Sequence, residues 1–259
     1  FLLDALRKAT EASDDAPARL LAYRVLWAGD TEGRFEAALH LEGLAARKAD
    51  GELQDAAIEL ADDLAWQLQD DLALIKIDLR KGRRSLQLRD PAAAQAVGEE
   101  ALEAAERLGD PHFVAQAVNL LGVVNFHKGQ LDEARSWFGR NAESPISEER
   151  FRAYNNLGAV AGLAGDLKAS YAHLDKALTL ARQERRVDEI SACLNNLAAT
   201  AERLARYDKA IEQFREGRDL AKRTGAARNA VQALLNIAQV HSRKGALGPA
   251  WNTAQEALT

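Results

Sequence analysis

The chain of 259 residues contains no methionine, one cysteine, five prolines and only 6% aromatic residues. The single Cys193 excludes a disulfide within the chain, and its place in a predicted helix suggests a small buried residue. We therefore expect a reducing, cytoplasmic location. No stretch has the features of a signal peptide, and no apolar run is long enough to cross a membrane.

The chain also lacks a strong excess of positive or negative charge. The chain has 34 basic and 39 acidic residues, and its formal net charge is −5. Nonspecific binding to nucleic acid needs a clear excess of positive charge. We therefore expect neither nucleic acid nor a membrane as a partner.

Sequence signatures of catalysis are absent. The chain has no Gly-x-x-x-x-Gly-Lys phosphate loop, no Gly-x-Gly-x-x-Gly, no His-Glu-x-x-His, no Gly-x-Ser-x-Gly and no cysteine pair. Its five histidines are scattered over the chain, at positions 40, 112, 127, 173 and 241. We therefore predict no metal site, no cofactor and no enzymatic activity.

What the chain does have is an internal repeat. The motif Asn-Leu-Leu-Gly at 119–122 returns as Asn-Asn-Leu-Gly at 155–158, Asn-Asn-Leu-Ala at 195–198 and Leu-Asn-Ile-Ala at 235–238. The steps of 36, 40 and 40 residues indicate a repeat array. Each unit of such an array cannot bury its apolar face alone, so neighbouring units must stack.

Turn signals extend this period along the chain. Gly29-Asp30, Gln69-Asp70 and Gly109-Asp110 lie 40 residues apart, and Arg185 and Gly225 continue the series. Glycine suits a left-handed helix end, and aspartate suits an N-cap. We predict a single solenoid domain over 1–259. Its units are a partial one over 1–29, then 30–69, 70–109, 110–145, 146–185, 186–225 and 226–259.

Within a unit the apolar period is helical. Leu53, Ala57, Ala61, Leu64 and Leu68 recur at steps of three and four residues, whereas alternating strand patterns are absent. All five prolines fall where a predicted helix begins. The unit at 110–145 is four residues shorter than the others, so its second helix should end about one turn early, near Ala142.

The second half of each unit carries small residues at fixed places, such as Gly129 and Ala134, or Gly165 and Ser170. Together with the Leu-Gly pair, this pattern resembles the tetratricopeptide repeat in its longer 40-residue form. That form occurs in kinesin light chains, in peptide-binding polarity scaffolds, and in the C-terminal sensor regions of bacterial signalling ATPases and transcription regulators. The resemblance implies an all-α, right-handed superhelical solenoid of antiparallel helical hairpins. Lys81 stands where the family has a buried leucine, which leaves the register before residue 90 open.

Asparagines mark a candidate peptide site. The resemblance places the first helix of each unit on a concave groove. Asparagines occupy two adjacent positions of this helix, which differ by about 100° around its axis, so the two rows cannot both point equally into the groove. An Asn side chain offers an acceptor and two donors, so a row can hold an extended backbone. The alternative is that the amides bond to neighbouring helix ends or loops and stabilise the stack. The two rows comprise Asn119, Asn155, Asn156, Asn195, Asn196 and Asn236.

A basic stripe is a second candidate, for an acidic ligand. Lys76, Arg80, Arg83, Arg84 and Gln87 share one helical face, and guanidinium groups bind carboxylates and phosphates. The alternative is a solvated face whose charges meet an acidic segment. That segment comprises Glu59, Asp62, Asp63, Asp70 and Asp71. Arg152, Arg203 and Arg243, from later first helices, would extend a basic inner wall.

Most aromatic residues fall at packing positions, so we expect them in the core; Trp27 and Trp66 stay ambiguous. The expected core set comprises Phe113, Phe126, Trp137, Phe138, Phe151, Phe214 and Trp251.

The sequence favours a non-enzymatic scaffold or sensor region of a cytoplasmic regulator that binds a protein or peptide in its groove. Alternatives are a receptor for a small molecule or signalling peptide that controls an attached effector domain, and a structural module that self-associates end to end. The chain starts at Phe1, lacks methionine and stops inside a predicted helix, so we expect it to be part of a longer protein.

Overall fold

A computed structural model describes residues 15–258, which hold thirteen helices and no strand. Positions 1–14, part of the predicted partial unit, and Thr259 lie outside the described residues. The all-α prediction is confirmed over the described part of the chain. The helices are α1 Asp15–Ala28, α2 Thr31–Lys48, α3 Gly51–Leu68, α4 Asp71–Gln87, α5 Pro91–Leu108, α6 Pro111–His127, α7 Leu131–Ala142, α8 Ser147–Leu163, α9 Leu167–Gln183, α10 Val187–Arg203, α11 Tyr207–Arg223, α12 Ala227–Arg243 and α13 Leu247–Glu256.

Contacts divide the chain into two compact units, residues 1–124 and 125–259, here called the N-terminal unit and the C-terminal unit. Consecutive helices pack as pairs within each: α2 with α3 and α4 with α5, then α8 with α9, α10 with α11 and α12 with α13. The two helices of each pair are joined by a short connection, which makes them antiparallel neighbours. That the whole chain forms one solenoid domain stays a prediction.

Aspartate caps begin the helices where the spacing predicted them. The carboxylates of Asp30, Asp70 and Asp110 accept hydrogen bonds from backbone N–H groups two or three residues ahead, at 2.8 to 3.2 Å. Asp50 and Asp90 do the same at the start of second helices. Each bond satisfies a backbone donor that the helix itself cannot pair.

Residues in the left-handed backbone conformation end the preceding helices. Gln69, Gly109, Arg185 and Gly225 all have positive φ, between 51° and 73°, as predicted for a helix end. Gly29 differs, because its φ is not positive. A β-carbon there would lie 2.6 Å from the carbonyl oxygen of Val25, so this position needs glycine for close approach.

The N-terminal unit is filled by aliphatic residues from successive helices. One buried cluster joins Phe35 and Leu39 of α2 to Leu64 of α3 and Ile77 of α4. A second cluster joins Val25 of α1 to Leu41 and Leu44 of α2. Helices α2 and α3 therefore contribute buried residues to both clusters, as expected for stacked hairpins.

The C-terminal unit repeats this arrangement. Phe151 of α8, Leu174 and Leu178 of α9 and Leu194 of α10 form one buried cluster that includes Cys193. Another joins Ala201 of α10, Ile211 and Phe214 of α11, and Ile237 and Val240 of α12. These contacts fix the first helices α8, α10 and α12 side by side.

The Leu-Gly motif marks close helix crossings. A β-carbon at Gly158 would lie 2.7 Å from Leu174 Cγ, and one at Gly82 would lie 2.5 Å from Leu120 Cδ2. Gly82 therefore occupies the motif's small position, and the preceding Lys81 stands at the leucine position. Lys81 is only half-buried and forms an ion pair with Asp62, which explains how a charged residue fits there.

The short unit behaves as predicted. Helix α7 ends at Ala142, and α8 begins at Ser147, after Pro145. The intervening turn is held by Arg150, whose guanidinium donates to the carbonyls of Ser144 and Pro145, both at 2.9 Å.

The aromatic residues divide between core and surface. Phe138, Phe151 and Phe214 are buried, as predicted, and Phe113, Phe126 and Trp137 are half-buried. The core prediction is wrong for Trp251, which is 67% exposed, because no described helix packs over this face of α13. Trp27 and Trp66 are exposed.

Candidate functional site

Two hydrogen bonds join the predicted asparagine rows across neighbouring hairpins. Asn196 Nδ2 of α10 donates to Asn155 Oδ1 of α8 at 3.2 Å. Asn236 Nδ2 of α12 donates to Asn195 Oδ1 of α10, also at 3.2 Å. We call these four residues the asparagine ladder.

The ladder bonds are diagonal. Each joins residues 41 positions apart, one more than the repeat period of 40. A residue of the first row therefore pairs with a residue of the second row in the next hairpin. Successive helix positions differ by about 100°, so the diagonal turns the two amides toward each other.

Each ladder bond leaves polar groups unused. Asn155 Nδ2 and Asn196 Oδ1 have no hydrogen-bond partner among the described residues, although an amide group offers two donors and two lone pairs. Asn195 and Asn196 are exposed, and Asn155 and Asn236 are half-buried. The Asn155–Asn196 pair can therefore present an N–H donor and a C=O acceptor to a ligand while its own bond stays intact.

The other predicted asparagines are placed differently. Asn119 lies on α6 in the N-terminal unit, and Asn156 lies on α8; both are half-buried and already hold interactions. Neither belongs to the ladder, whose four residues all lie in the C-terminal unit.

A cavity of about 390 Å³ opens between α10 and α12, with α11 as its floor. We call it the Asp188 cavity. The ladder residue Asn195 lines it, so the cavity is continuous with the ladder. Phe214 and Gly217 belong to its apolar lining. The other polar lining residues are Asp188, Ser191, Gln213, Asn229 and Gln232.

A second cavity, of about 440 Å³, lies between α8 and α10. Asn155 and Asn196 line it together with Arg203, whose guanidinium donates to the carbonyl of Gly162 at 3.1 Å. The two cavities lie on opposite sides of α10. One carries a carboxylate and the other a guanidinium. Sequence reasoning missed both cavities, because the first is assembled from three helices and the second from four.

The predicted basic stripe is largely paired within the N-terminal unit. Lys76 Nζ lies 3.0 Å from Glu36, and Arg80 forms an ion pair with Glu42, which is buried. Arg83 is exposed and donates to Gln116 at 2.9 Å. The stripe thus meets carboxylates, as its alternative interpretation held, but not those of the acidic segment expected from sequence.

Arg84 forms the most extensive contacts of the stripe. Its Nε and Nη2 donate to the two carboxylate oxygens of Asp55 at 2.6 and 2.8 Å, and Nη2 also donates to the carbonyl of Gly51 at 3.3 Å. The hydrogen bond from Arg84 holds the pKa of Asp55 below its usual value, because it stabilises the ionised carboxylate. An acidic ligand at Arg84 would have to displace this pair, and binding there stays a prediction.

The three further arginines are also engaged. Arg152 pairs with Glu148 and Glu149 of its own helix, while Arg243 lies 3.1 Å from Glu202. Arg203 donates to Gly162, as described above. A continuous basic wall is therefore not present among these residues.

Residues 15–258 contain neither a candidate metal site nor a candidate membrane span. No group of three or more His, Cys, Asp or Glu side chains there is arranged to hold a metal ion. None of the helices there combines the length and apolar character needed to span a membrane.

The chain resembles known proteins in sequence and in fold. A sequence profile of the tetratricopeptide repeat family matches residues 149–223. No curated protein matches the chain by sequence. Among solved structures, the apo form of RapI superposes with a TM-score of 0.74 at 12% identity, over 99% of this chain and 74% of RapI.

Two further structures share the fold. PH0952 from Pyrococcus horikoshii is a signal transduction ATPase with numerous domains and a tetratricopeptide repeat sensor. It superposes with a TM-score of 0.74 at 14% identity, over 99% of this chain and 40% of that protein. A Rap protein complexed with competence and sporulation factor gives 0.64 at 15% identity, over 99% of this chain and 75% of that protein. These likenesses establish the fold alone.

Proposed function

We propose that this tetratricopeptide-repeat protein binds an extended peptide segment of a partner along the asparagine ladder. The observation that carries the proposal is the unused donor and acceptor beside the Asn155–Asn196 bond. Asn155 Nδ2 and Asn196 Oδ1 match the carbonyl and N–H of a peptide unit. Such contacts recognise a backbone and leave side-chain specificity to the flanking cavities.

The ladder is also spaced to bind a strand of chain rather than a single group. Its two bonds follow one another across three stacked helices, α8, α10 and α12. A peptide that crosses these helices meets an asparagine pair at each step, with a free donor and acceptor at the first pair and a free donor, Asn195 Nδ2, at the second. We propose that the chain has no enzymatic activity and acts as the scaffold or sensor region of a cytoplasmic regulator.

A receptor role is the second candidate. Two of the structures that share the fold are a Rap protein complexed with competence and sporulation factor and a signalling ATPase with a tetratricopeptide repeat sensor. By analogy, a signalling peptide or small molecule would bind the C-terminal unit and control an effector domain. The same ladder and cavities would serve either partner, so the two candidates differ in what is attached to this region.

Self-association is a third candidate, and exposed apolar side chains on α13 favour it. Leu247 and Trp251 are 70% and 67% exposed. Sedimentation of the chain at several concentrations tests this candidate. A monomer across the range would exclude it, whereas a dimer that Trp251→Glu dissociates would support it.

The peptide proposal is tested by selection from a random heptapeptide library displayed on phage. Wild-type chain should enrich peptides, and the double variant Asn155→Ala/Asn195→Ala should bind the same synthetic peptides at least tenfold more weakly. Equal binding by the double variant would refute the ladder as the site. Failure of the wild type to enrich any peptide would refute peptide binding altogether.

A further inference from the structure

The Asp188 cavity has one charged lining residue, and that residue is acidic. Asp188 lies in the first turn of α10, where the positive end of the helix stabilises a carboxylate. It forms no ion pair with any residue of the described range 15–258, whereas its neighbour Glu189 is paired with Arg186 at 3.4 Å. The carboxylate therefore stands at the cavity without a cation.

The wall of the cavity contains a second unsatisfied acceptor. Gln213 is only 6% exposed, and its Nε2 donates to the hydroxyl of Tyr171 at 2.8 Å. Its Oε1 is buried and has no hydrogen-bond partner. Because buried polar groups are almost always paired in native structures, such an oxygen marks a place where a donor belongs.

Part of the remaining polar wall is already committed. Gln232 Nε2 donates to Asn236 Oδ1 at 3.1 Å, and Asn195 Oδ1 accepts from Asn236. The groups left to a ligand therefore include the Asp188 carboxylate and the Gln213 oxygen, both acceptors. A ligand group that donates several hydrogen bonds and carries positive charge fits this set.

We propose that the Asp188 cavity is the specificity subsite for a basic side chain, lysine or arginine, of a peptide bound on the asparagine ladder. The inference rests on the proposed peptide-binding function. It is favoured by continuity, because Asn195 belongs both to the ladder and to the cavity lining. The apolar stem of the basic residue packs on Phe214, and its charged head meets Asp188.

The test uses peptides selected by the wild type from the random heptapeptide library. These peptides should share one lysine or arginine position. Replacing that residue by norleucine should weaken binding to the wild type about fivefold, as removal of one accessible ion pair does. The same replacement should change binding to Asp188→Asn less than twofold, and Asp188→Lys should select peptides with an acidic residue there.

Asp175→Asn is the matched control, because it removes the same charge from an exposed position on α9 outside the cavity. It should behave as the wild type. Selected peptides without a shared basic position, or an equal norleucine effect in wild type and Asp188→Asn, would overturn the subsite. If those peptides still lose binding in Asn155→Ala/Asn195→Ala, the ladder proposal survives. If the wild type enriches no peptide, both proposals fall.

Discussion

Asn196 on α10 donates a hydrogen bond of 3.2 Å to Asn155 on α8, although 41 residues separate them in sequence. The bond joins two first helices of successive hairpins without passing through the second helix between them. It therefore gives the stack a direct polar contact between first helices. An exposed amide pair of this kind can serve both stacking and recognition, because neither group is saturated.

The ladder should matter more for binding than for stability. Asn155→Ala/Asn195→Ala removes both ladder bonds, and we expect the free energy of unfolding to fall by about 1–2 kcal/mol, since a net hydrogen bond contributes about 1 kcal/mol. The melting temperature should then fall by a few degrees. Peptide affinity should fall at least tenfold, measured by titration calorimetry at a temperature where both proteins are folded.

Asn252→Ala serves as the control for the ladder variant. Asn252 is exposed on α13 and makes no side-chain hydrogen bond with the described residues. Its replacement should change neither the melting temperature nor peptide affinity. A ladder variant that melts more than 10 °C lower, with unchanged affinity while folded, would assign the asparagines to stacking alone.

The basic stripe should contribute to stability through Arg80. Glu42 is buried, with 7% exposure, and accepts from Gln54 at 2.8 Å and from Arg80. Arg80→Ala leaves this carboxylate with the neutral partner only, and we expect it to cost about 2 kcal/mol. Urea denaturation measures the loss. Arg24→Ala, at an exposed helical position in the same unit, should change stability by less than about 0.5 kcal/mol.

Variants of the basic stripe also test whether it binds an acidic ligand. If the stripe is structural, Lys76→Glu/Arg80→Glu/Arg83→Glu should destabilise the N-terminal unit, since it places new carboxylates beside Glu36 and Glu42. If the stripe binds an acidic ligand, Arg83→Glu alone should lower affinity for that ligand with unchanged urea stability. Arg83 is the exposed one of these three residues, and it donates a hydrogen bond to the neutral side chain of Gln116.

The repeat period predicted much of this structure, because caps and close crossings depend on local chemistry. Asp30, Asp70 and Asp110 cap helices as their spacing indicated, and Gly158 lies against Leu174 where the motif required a small residue. The end of α7 at Ala142 followed from counting residues.

Contacts between hairpins were less accessible from sequence. The two asparagine rows were visible, but their diagonal pairing depends on a rotation of one helix against the next. The ion-pair partners of the basic stripe were predicted wrongly for a related reason. Lys76 and Arg80 reach Glu36 and Glu42, which lie 40 and 38 residues earlier, about one repeat back rather than on the nearest acidic helix. Trp251 was misplaced because its motif position is buried only where another hairpin covers it.

Replacing Gly158 and Gly139 by alanine should change the free energy of unfolding in opposite directions. In Gly158→Ala the new β-carbon would lie 2.7 Å from Leu174 Cγ, in a buried contact, so we expect a loss of about 1–3 kcal/mol. In Gly139→Ala nothing lies within 4 Å of the new carbon. Helix α7 should then gain about 0.5–1 kcal/mol, because alanine favours the helix. Urea denaturation of both variants measures the difference, and a stabilised Gly158→Ala would contradict the close crossing.

Stability should fall as the pH drops below about 6.5. Burial lowers the pKa of His173, helped by Lys176 and Arg135, and burial also lowers that of His241, helped by Arg215 and Lys244. Nearby Asp166 and Asp208 oppose these shifts. A histidine whose pKa is lower in the folded state binds protons preferentially when unfolded. Its contribution is therefore complete above the unfolded pKa and is lost as the pH falls through it.

The double variant His173→Gln/His241→Gln isolates this effect. Its urea midpoint should depend less on pH between 7 and 5 than that of the wild type, although three other histidines remain in it. Identical pH profiles of the two proteins would show that neither imidazole is kept neutral by its surroundings.

Cys193 should react as a buried thiol. It is fully buried among Phe151, Leu194 and Leu197, and burial raises its pKa to about 12, with Glu189 adding to the effect. Only about one thiol in ten thousand is then ionised at pH 8, and the thiolate is the reactive form. A disulfide reagent such as dithionitrobenzoate should label the folded chain far more slowly than free cysteine, and labelling should become rapid in 6 M guanidinium.

Variants that loosen this cluster, such as Leu197→Ala, should accelerate labelling of the folded chain, because each opening of the cluster exposes the sulfur. Fast labelling of the wild type under native conditions would show that this part of the C-terminal unit opens frequently.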